Sequence, residues 1–181
     1  MDDVIEAWAT RLAEAVAPDE ADLAPDIAAA YVAGGRERAE LFRASAATPG
    51  GFDPGAVLAV FPFVLSAIAA SGALIQAFLA SGAADIPGMV KDVVDLRDRY
   101  RRGPERAAAK STTLAETVPE NQHAYQALNR IFIAIEEELG KAGIDAQHRQ
   151  LLSYRIVRGL LDDLGGTREF LDAVGASPGR K

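Results

Sequence analysis

GAVLAVFPFVLSAIAASGALIQAFLASGAA, the stretch from Gly55 to Ala84, contains no charged residue. An uncharged apolar run of about 18 residues or more is a candidate for a membrane-spanning helix. Its most apolar window of about 19 residues has a mean hydropathy of about 2, which is typical of such helices. The run has three interpretations: it spans a bilayer, it touches a bilayer from one side, or it is the buried central helix of a bundle or oligomer.

The composition favours helices over strands. Alanine and other good helix formers dominate the 181 residues, and β-branched runs bounded by turn residues are scarce. We therefore predict an all-α protein with a long apolar central helix, flanking amphipathic helices and a C-terminal antiparallel helix pair. A chain of this length forms one domain, or one small domain with an accessory segment.

Amphipathic helices are predicted on both sides of the apolar run. Apolar residues, including the lone Trp8 as a core anchor, recur every three or four positions over 2–17, and a second helix or pair over 26–47 is broken at Gly34 and Gly35. After the run, a helix is expected over 120–141. A further helix capped by Asp145 is predicted to end at Gly165 and Gly166. The last and shortest helix covers 168–174, with Thr167 as its N-cap.

These elements divide the chain into two helical parts. We predict a hydrophobic region over 1–102, a connector over 103–119, a small helical unit over 120–175 and a tail over 176–181. The connector is polar and begins with Gly103 and Pro104, which stop the preceding helix.

A stripe of residues at spacings of three and four runs through the apolar stretch and continues into charged sequence. This is the spacing of a coiled-coil seam, and also that of the core face of one bundle helix. The first interpretation predicts a homo-oligomer that forms through Leu58, Phe61, Leu65, Ile68, Ile75, Leu79, Ile86, Met89, Val93, Leu96 and Tyr100.

Arginines cluster towards the end of this stripe. Arg97, Arg99, Arg101 and Arg102 lie among aspartates, which is typical of a solvated helix face with ion pairs between turns. Contact with anionic lipid headgroups is the alternative interpretation. The whole chain has a net charge of −7 and lacks a basic face, so we expect no nucleic-acid partner.

Two carboxylate–histidine pairs have the spacing of half a di-iron site: Glu120 with His123, and Asp145 with His148. They begin consecutive helices, whose starts lie at opposite ends of an antiparallel pair, so a shared metal is not expected. The chain has no cysteine, no glycine-rich phosphate loop and no nucleophile motif. We expect no catalytic residue, no metal and no cofactor, and therefore no enzyme.

The N-terminus is acidic and amphipathic and lacks the features of a signal peptide. We expect a cytoplasmic protein, placed at the inner face of the cell membrane if the apolar run meets lipid. The excess of arginine over lysine is typical of a bacterial genome of high GC content. 

The leading functional hypothesis is a non-enzymatic scaffold or tethering subunit. It would oligomerise through the apolar helix and link an unknown partner complex to the membrane, or shelter an apolar ligand. One alternative is a membrane-perturbing, pore-forming effector with a hidden apolar helix. The other is a soluble helical domain for regulation or protein interaction.

Overall fold

The computed structural model describes residues 2–46, 60–82 and 122–175, and in these ranges the chain is helical with no strand. The all-α prediction is confirmed. The seven α-helices of the described ranges are α1 (Asp2–Val16), α2 (Ala24–Ala33), α3 (Gly35–Ala46), α4 (Phe61–Ala80), α5 (Gln122–Lys141), α6 (Ala146–Leu161) and α7 (Leu164–Gly175), and a 3-10 helix (Pro18–Glu20) follows α1.

Helix α1 is amphipathic because its apolar residues return to one face every three or four positions. Ile5, Trp8, Leu12 and Val16 are buried, while Asp3 and Glu14 lie on the exposed side. The Trp8 ring stacks on Phe170 of α7 with centroids 5.6 Å apart. The prediction of Trp8 as a core anchor is therefore confirmed.

Gly34 separates α2 from α3, as the sequence predicted. Its φ is +73°, a left-handed conformation that glycine adopts without the steric cost of a Cβ. The Gly34 N–H still donates to Ala30 O at 3.3 Å, which completes the last turn of α2. The next helix then starts at Gly35.

Helix α4 is the central element of the described fold. It packs most extensively on α5, and also on α7 and α2. Ser71 is a fully buried polar residue of α4, and its hydroxyl donates to Ala67 O at 2.6 Å. Pro62 lies in the first turn, where its missing N–H costs nothing. The part of the apolar run before Val60 lies outside the described residues.

Helices α5 and α6 form the C-terminal pair that the sequence predicted. A short turn after Lys141 joins them, and the Ser153 hydroxyl of α6 donates to a Glu136 carboxylate oxygen of α5 at 3.2 Å. Asp145 caps α6 as predicted, because its Oδ1 accepts from the backbone N–H of Gln147 at 3.0 Å and of His148 at 3.2 Å.

The predicted bounds of the last helix are wrong. Helix α6 ends at Leu161, and α7 already begins at Leu164, so Gly165 and Gly166 lie inside a helix rather than after one. Asp163, not Thr167, caps α7, since its Oδ1 accepts from Gly166 N–H at 3.1 Å. Thr167 is fully buried and donates its hydroxyl proton back to Leu160 O.

One hydrophobic core contains residues from helices on both sides of the predicted connector. It joins Leu12 of α1 and Leu65 of α4 with Phe132 of α5, Ile156 of α6 and Phe170 of α7. The connector 103–119 and the tail 176–181 lie outside the described residues.

Candidate interaction surfaces

The described part of the predicted seam faces the interior of the same chain. Its side chains are at most 4% exposed and belong to the core: Phe61, Leu65, Ile68, Ile75 and Leu79. In this conformation they have almost no surface left for another molecule. Oligomerisation through the seam stays a prediction. The remaining residues of the two predicted sites lie outside the described ranges: Leu58, Ile86, Met89, Val93, Leu96 and Tyr100 of the seam, and Arg97, Arg99, Arg101 and Arg102.

A carboxylate from the connection between α1 and α2 caps the start of α4. The two oxygens of Glu20 accept from the backbone N–H groups of Val60 at 2.6 Å and Phe61 at 3.0 Å. The first N–H groups of a helix have no partner within it, and a negative charge there is favoured by the helix dipole. Glu20 is buried, with 8% of its surface exposed, so these bonds are shielded from water.

The C-terminal half of α4 is held by polar side chains of α7. Arg168 donates through Nη2 to Leu79 O at 3.2 Å, a position where a cation complements the helix dipole. One turn earlier on α4, Gln76 donates through Nε2 to Asp172 Oδ1 at 2.8 Å. Arg168 meets Leu79, and the later residue Asp172 meets the earlier residue Gln76. The two helices are therefore antiparallel. Side chains from outside α4 therefore hold both of its ends.

The length and composition of α4 also meet the requirements of a membrane span. It has 20 residues with a mean hydropathy of 2.0, and 44% of its most apolar window is buried inside the fold. At about 1.5 Å per residue it is about 30 Å long, the thickness of the hydrocarbon layer. The core helix of a soluble protein meets the same criteria, so this finding fits a soluble protein and a membrane-contacting one equally.

Part of the exposed side of α4 lines an open groove. Its exposed lining residues on α4 are Ala70, Ala73 and Gln76. Between α4 and α7 the groove has a volume of about 550 Å³, with Leu171 and Val174 on its far wall. Arg38 of α3 also lines it. Small side chains on the floor would allow another backbone to approach α4 closely.

Arg38 is itself held by Tyr31 of α2. Its guanidinium lies over the phenol ring, 3.9 Å from the centroid, and its Nη2 donates to the phenol oxygen at 2.5 Å. Burial raises the pKa of Tyr31, and the positive charge of Arg38 partly opposes this rise. The phenol therefore stays protonated at neutral pH and accepts this bond as a neutral group.

Helix α6 presents a positively charged face. Leu151, Arg155 and Arg158 are all exposed, and their spacings of four and three place them on one side of the helix. From Ala146 to Leu161 the helix has three arginines and no acidic residue, and the exposed caps Asp145 and Asp162 flank it. Leu151 is 45% exposed, close to the values of Leu74 and Ile133, 41% and 43%. We call Leu151, Arg155 and Arg158 the basic face.

The connection between α1 and α2 presents the opposite charge. Asp19 and Asp22 are exposed there, and Asp26 is exposed in the first turn of α2. Between them in the sequence is Leu23, whose exposure of 59% is the highest among the large apolar residues of the described chain. Residues 2–33 contain eight acidic residues and one arginine, so the negative potential extends beyond this connection. We call Asp19, Asp22, Leu23 and Asp26 the acidic turn.

The carboxylate–histidine pair at the start of α6 has a capping role. While Oδ1 of Asp145 caps the helix, Oδ2 contacts His148 Nδ1. The hydrogen bonds from His148, first its ring and then its backbone N–H, lower the pKa of Asp145. Within the described ranges, no group of three or more histidine, aspartate or glutamate side chains lies close enough to hold a metal. Glu120 lies outside those ranges.

Most of these surfaces were not predicted from the sequence. The roles of Glu20 and Arg168 depend on partners 41 and 89 positions away, so no local pattern could indicate them. Arg155 and Arg158 had a local signal, because the segment from Ala146 to Leu161 carries three arginines and no acidic residue.

Comparison of the chain with protein-family models, with curated proteins and with solved structures gives no significant match.

Proposed function

We propose that this chain is a non-enzymatic, self-associating helical scaffold whose apolar helix α4 is the core of a folded cytoplasmic unit. In this proposal the apolar run stabilises the unit, and contacts with other molecules use its outer surfaces. The observation that carries the core role of α4 in this proposal is its fixation at both ends, by Glu20 at Phe61 and by Arg168 at Leu79.

Energetic reasoning supports the core role of α4. Moving α4 into lipid would strip its first N–H groups of the Glu20 carboxylate. It would also expose the apolar faces of α5, α7 and α2 that pack on it. Each buried polar group left without a partner costs about 1–3 kcal/mol, in addition to the lost apolar contacts.

The hydropathy of α4 favours a second candidate function, that of a membrane tether or pore-forming effector. In that case the helix leaves its partners and enters the bilayer. The two functions make opposite predictions for the location of the protein and for substitutions on the two sides of α4.

The location is tested by high-speed centrifugation of a lysate that contains the untagged chain, followed by a carbonate wash of the pellet. The scaffold proposal expects the protein in the first supernatant, with a mass in solution above that of one chain. Retention in carbonate-washed membranes would instead support insertion of α4. A soluble protein that is a monomer at every concentration would contradict self-association.

Neighbouring positions on α4 give a matched pair of variants. Ile75 is 2% exposed and Leu74 is 41% exposed. If α4 is a core helix, Ile75→Asp unfolds the protein through an unpaired buried charge, at a cost of about 3 kcal/mol or more, whereas Leu74→Asp is tolerated. If α4 spans a bilayer, an aspartate at either position near its centre opposes insertion by about 2.5–3.5 kcal/mol. Circular dichroism and the fractionation above distinguish these outcomes.

A further inference from the structure

The basic face of α6 and the acidic turn carry opposite charges. Each contains at least two like charges and an exposed leucine. Leu23 and Leu151 are 59% and 45% exposed, so neither is covered by the other within one chain. Among the described residues, no ion pair joins Arg155 or Arg158 to a carboxylate, and none joins Asp19 or Asp22 to a cation.

We propose that the acidic turn of one copy docks on the basic face of a second copy, with Leu23 packed against Leu151. The inference rests on the proposed self-association and specifies the surfaces that carry it. Arg155 and Arg158 would meet Asp19 and Asp22 around the two leucines. Apolar contacts surrounded by charged groups are the usual anatomy of a protein interface.

Charge complementarity is the reason for choosing a second copy as the occupant. A basic face needs an acidic partner with an apolar anchor, and the chain itself supplies one at residues 19–26. Opposite charges on the two surfaces accelerate encounter and fix the relative orientation of the partners. Because each copy carries both surfaces, the same contact can form twice in a closed dimer or once per step in an open assembly.

Charge reversal tests the pairing. At about 20 mM salt the full-length chain should have a mass above that of a monomer by light scattering. At about 500 mM salt the mass should fall towards the monomer, because screening weakens the ionic contacts. Arg155→Glu/Arg158→Glu and, separately, Asp19→Lys/Asp22→Lys should each weaken association by about 100-fold or more.

An equimolar mixture of the two reversed variants should associate again, because the reversed basic face now meets the reversed acidic turn. A merely misfolded variant would not be rescued in this way. The charge-matched control is Arg43→Glu/Arg130→Glu, which changes two exposed arginines outside the basic face and should leave association unchanged.

The leucines are tested in the same assay. Leu151→Ser and Leu23→Ser should each weaken association, while Leu74→Ser, at a leucine of similar exposure on α4, should not. Persistent association of both charge-reversed variants, or no rescue on mixing, would overturn the pairing while leaving self-association itself intact. A wild-type chain that is monomeric at low salt would contradict both the pairing and the proposed function.

Discussion

The carboxylate of Glu20 accepts a hydrogen bond from the backbone N–H of Phe61 at 3.0 Å, across 41 positions of the chain. Its second oxygen accepts from Val60 N–H. Glu20 thus caps the apolar helix from outside. Val60, the residue at the N-cap position, makes no capping hydrogen bond with its own side chain. This contact couples the docking of α4 to the fold of the N-terminal helices.

Glu20→Ala should destabilise the folded protein by about 1–3 kcal/mol, because it leaves two N–H groups at the start of α4 without their acceptor. Circular dichroism measures the urea concentration at the midpoint of unfolding. Glu14→Ala is the matched control, since Glu14 is an exposed glutamate on α1 outside both proposed docking surfaces. Equal midpoints for the two variants would show that the Glu20 contact contributes nothing to stability.

Gly166→Ala should destabilise the protein by about 1–3 kcal/mol through overpacking. A Cβ at this position would lie 2.6 Å from Nε1 of Trp8, whose ring is fixed against Phe170. Gly165→Ala is the control, because its Cβ would meet nothing closer than Asp163 Oδ1 at 3.8 Å. Trp8 is the only tryptophan, so its emission spectrum reports directly on the disturbed contact.

Gly72→Ala should stabilise the protein by up to about 1 kcal/mol. Glycine is a poor helix former, and Gly72 lies in the middle of α4. The added methyl group would lie 3.9 Å from Leu171 Cδ2, an ordinary van der Waals distance. Thermal unfolding of both proteins measures the effect, and a lower midpoint for the alanine variant would show that α4 and α7 need to approach more closely than this structure indicates.

Asp145 should make stability depend on pH in the acidic range. Hydrogen bonds from His148 lower its pKa in the folded protein below the ordinary value of 3.8. A lowered folded pKa means that the contribution is fully present above the unfolded pKa and is lost as pH falls through the folded pKa. Asp145→Ala should therefore lower the urea midpoint at pH 6 and have a smaller effect at pH 2.5. An equal effect at both pH values would argue against the charged cap.

Sequence patterns determined the helical class and most of the helix positions. Three local features indicated these positions: the 3.6-residue periodicity of α1, the glycines between α2 and α3, and the cap at Asp145. Each acts within a few residues and depends little on the rest of the fold. The uncharged run likewise predicted a long apolar helix, which α4 confirms within the described ranges.

The intramolecular partners of that helix are visible only in the tertiary structure. An apolar helix avoids water, and a lipid bilayer and a protein core both exclude water from it. Here Phe61, Ile68 and Ile75 are covered by other helices of the same chain.

Gly166 illustrates the same limit on a smaller scale. Because Gly166 follows a helical pattern, the sequence predicted a helix end there. In the structure the Trp8 ring lies so close to Gly166 that it leaves no room for a side chain. Local sequence determined which segments are helices, because periodicity and capping act within a few residues. Tertiary packing decided which faces meet and which charged surfaces stay exposed, because those contacts join residues far apart in the chain.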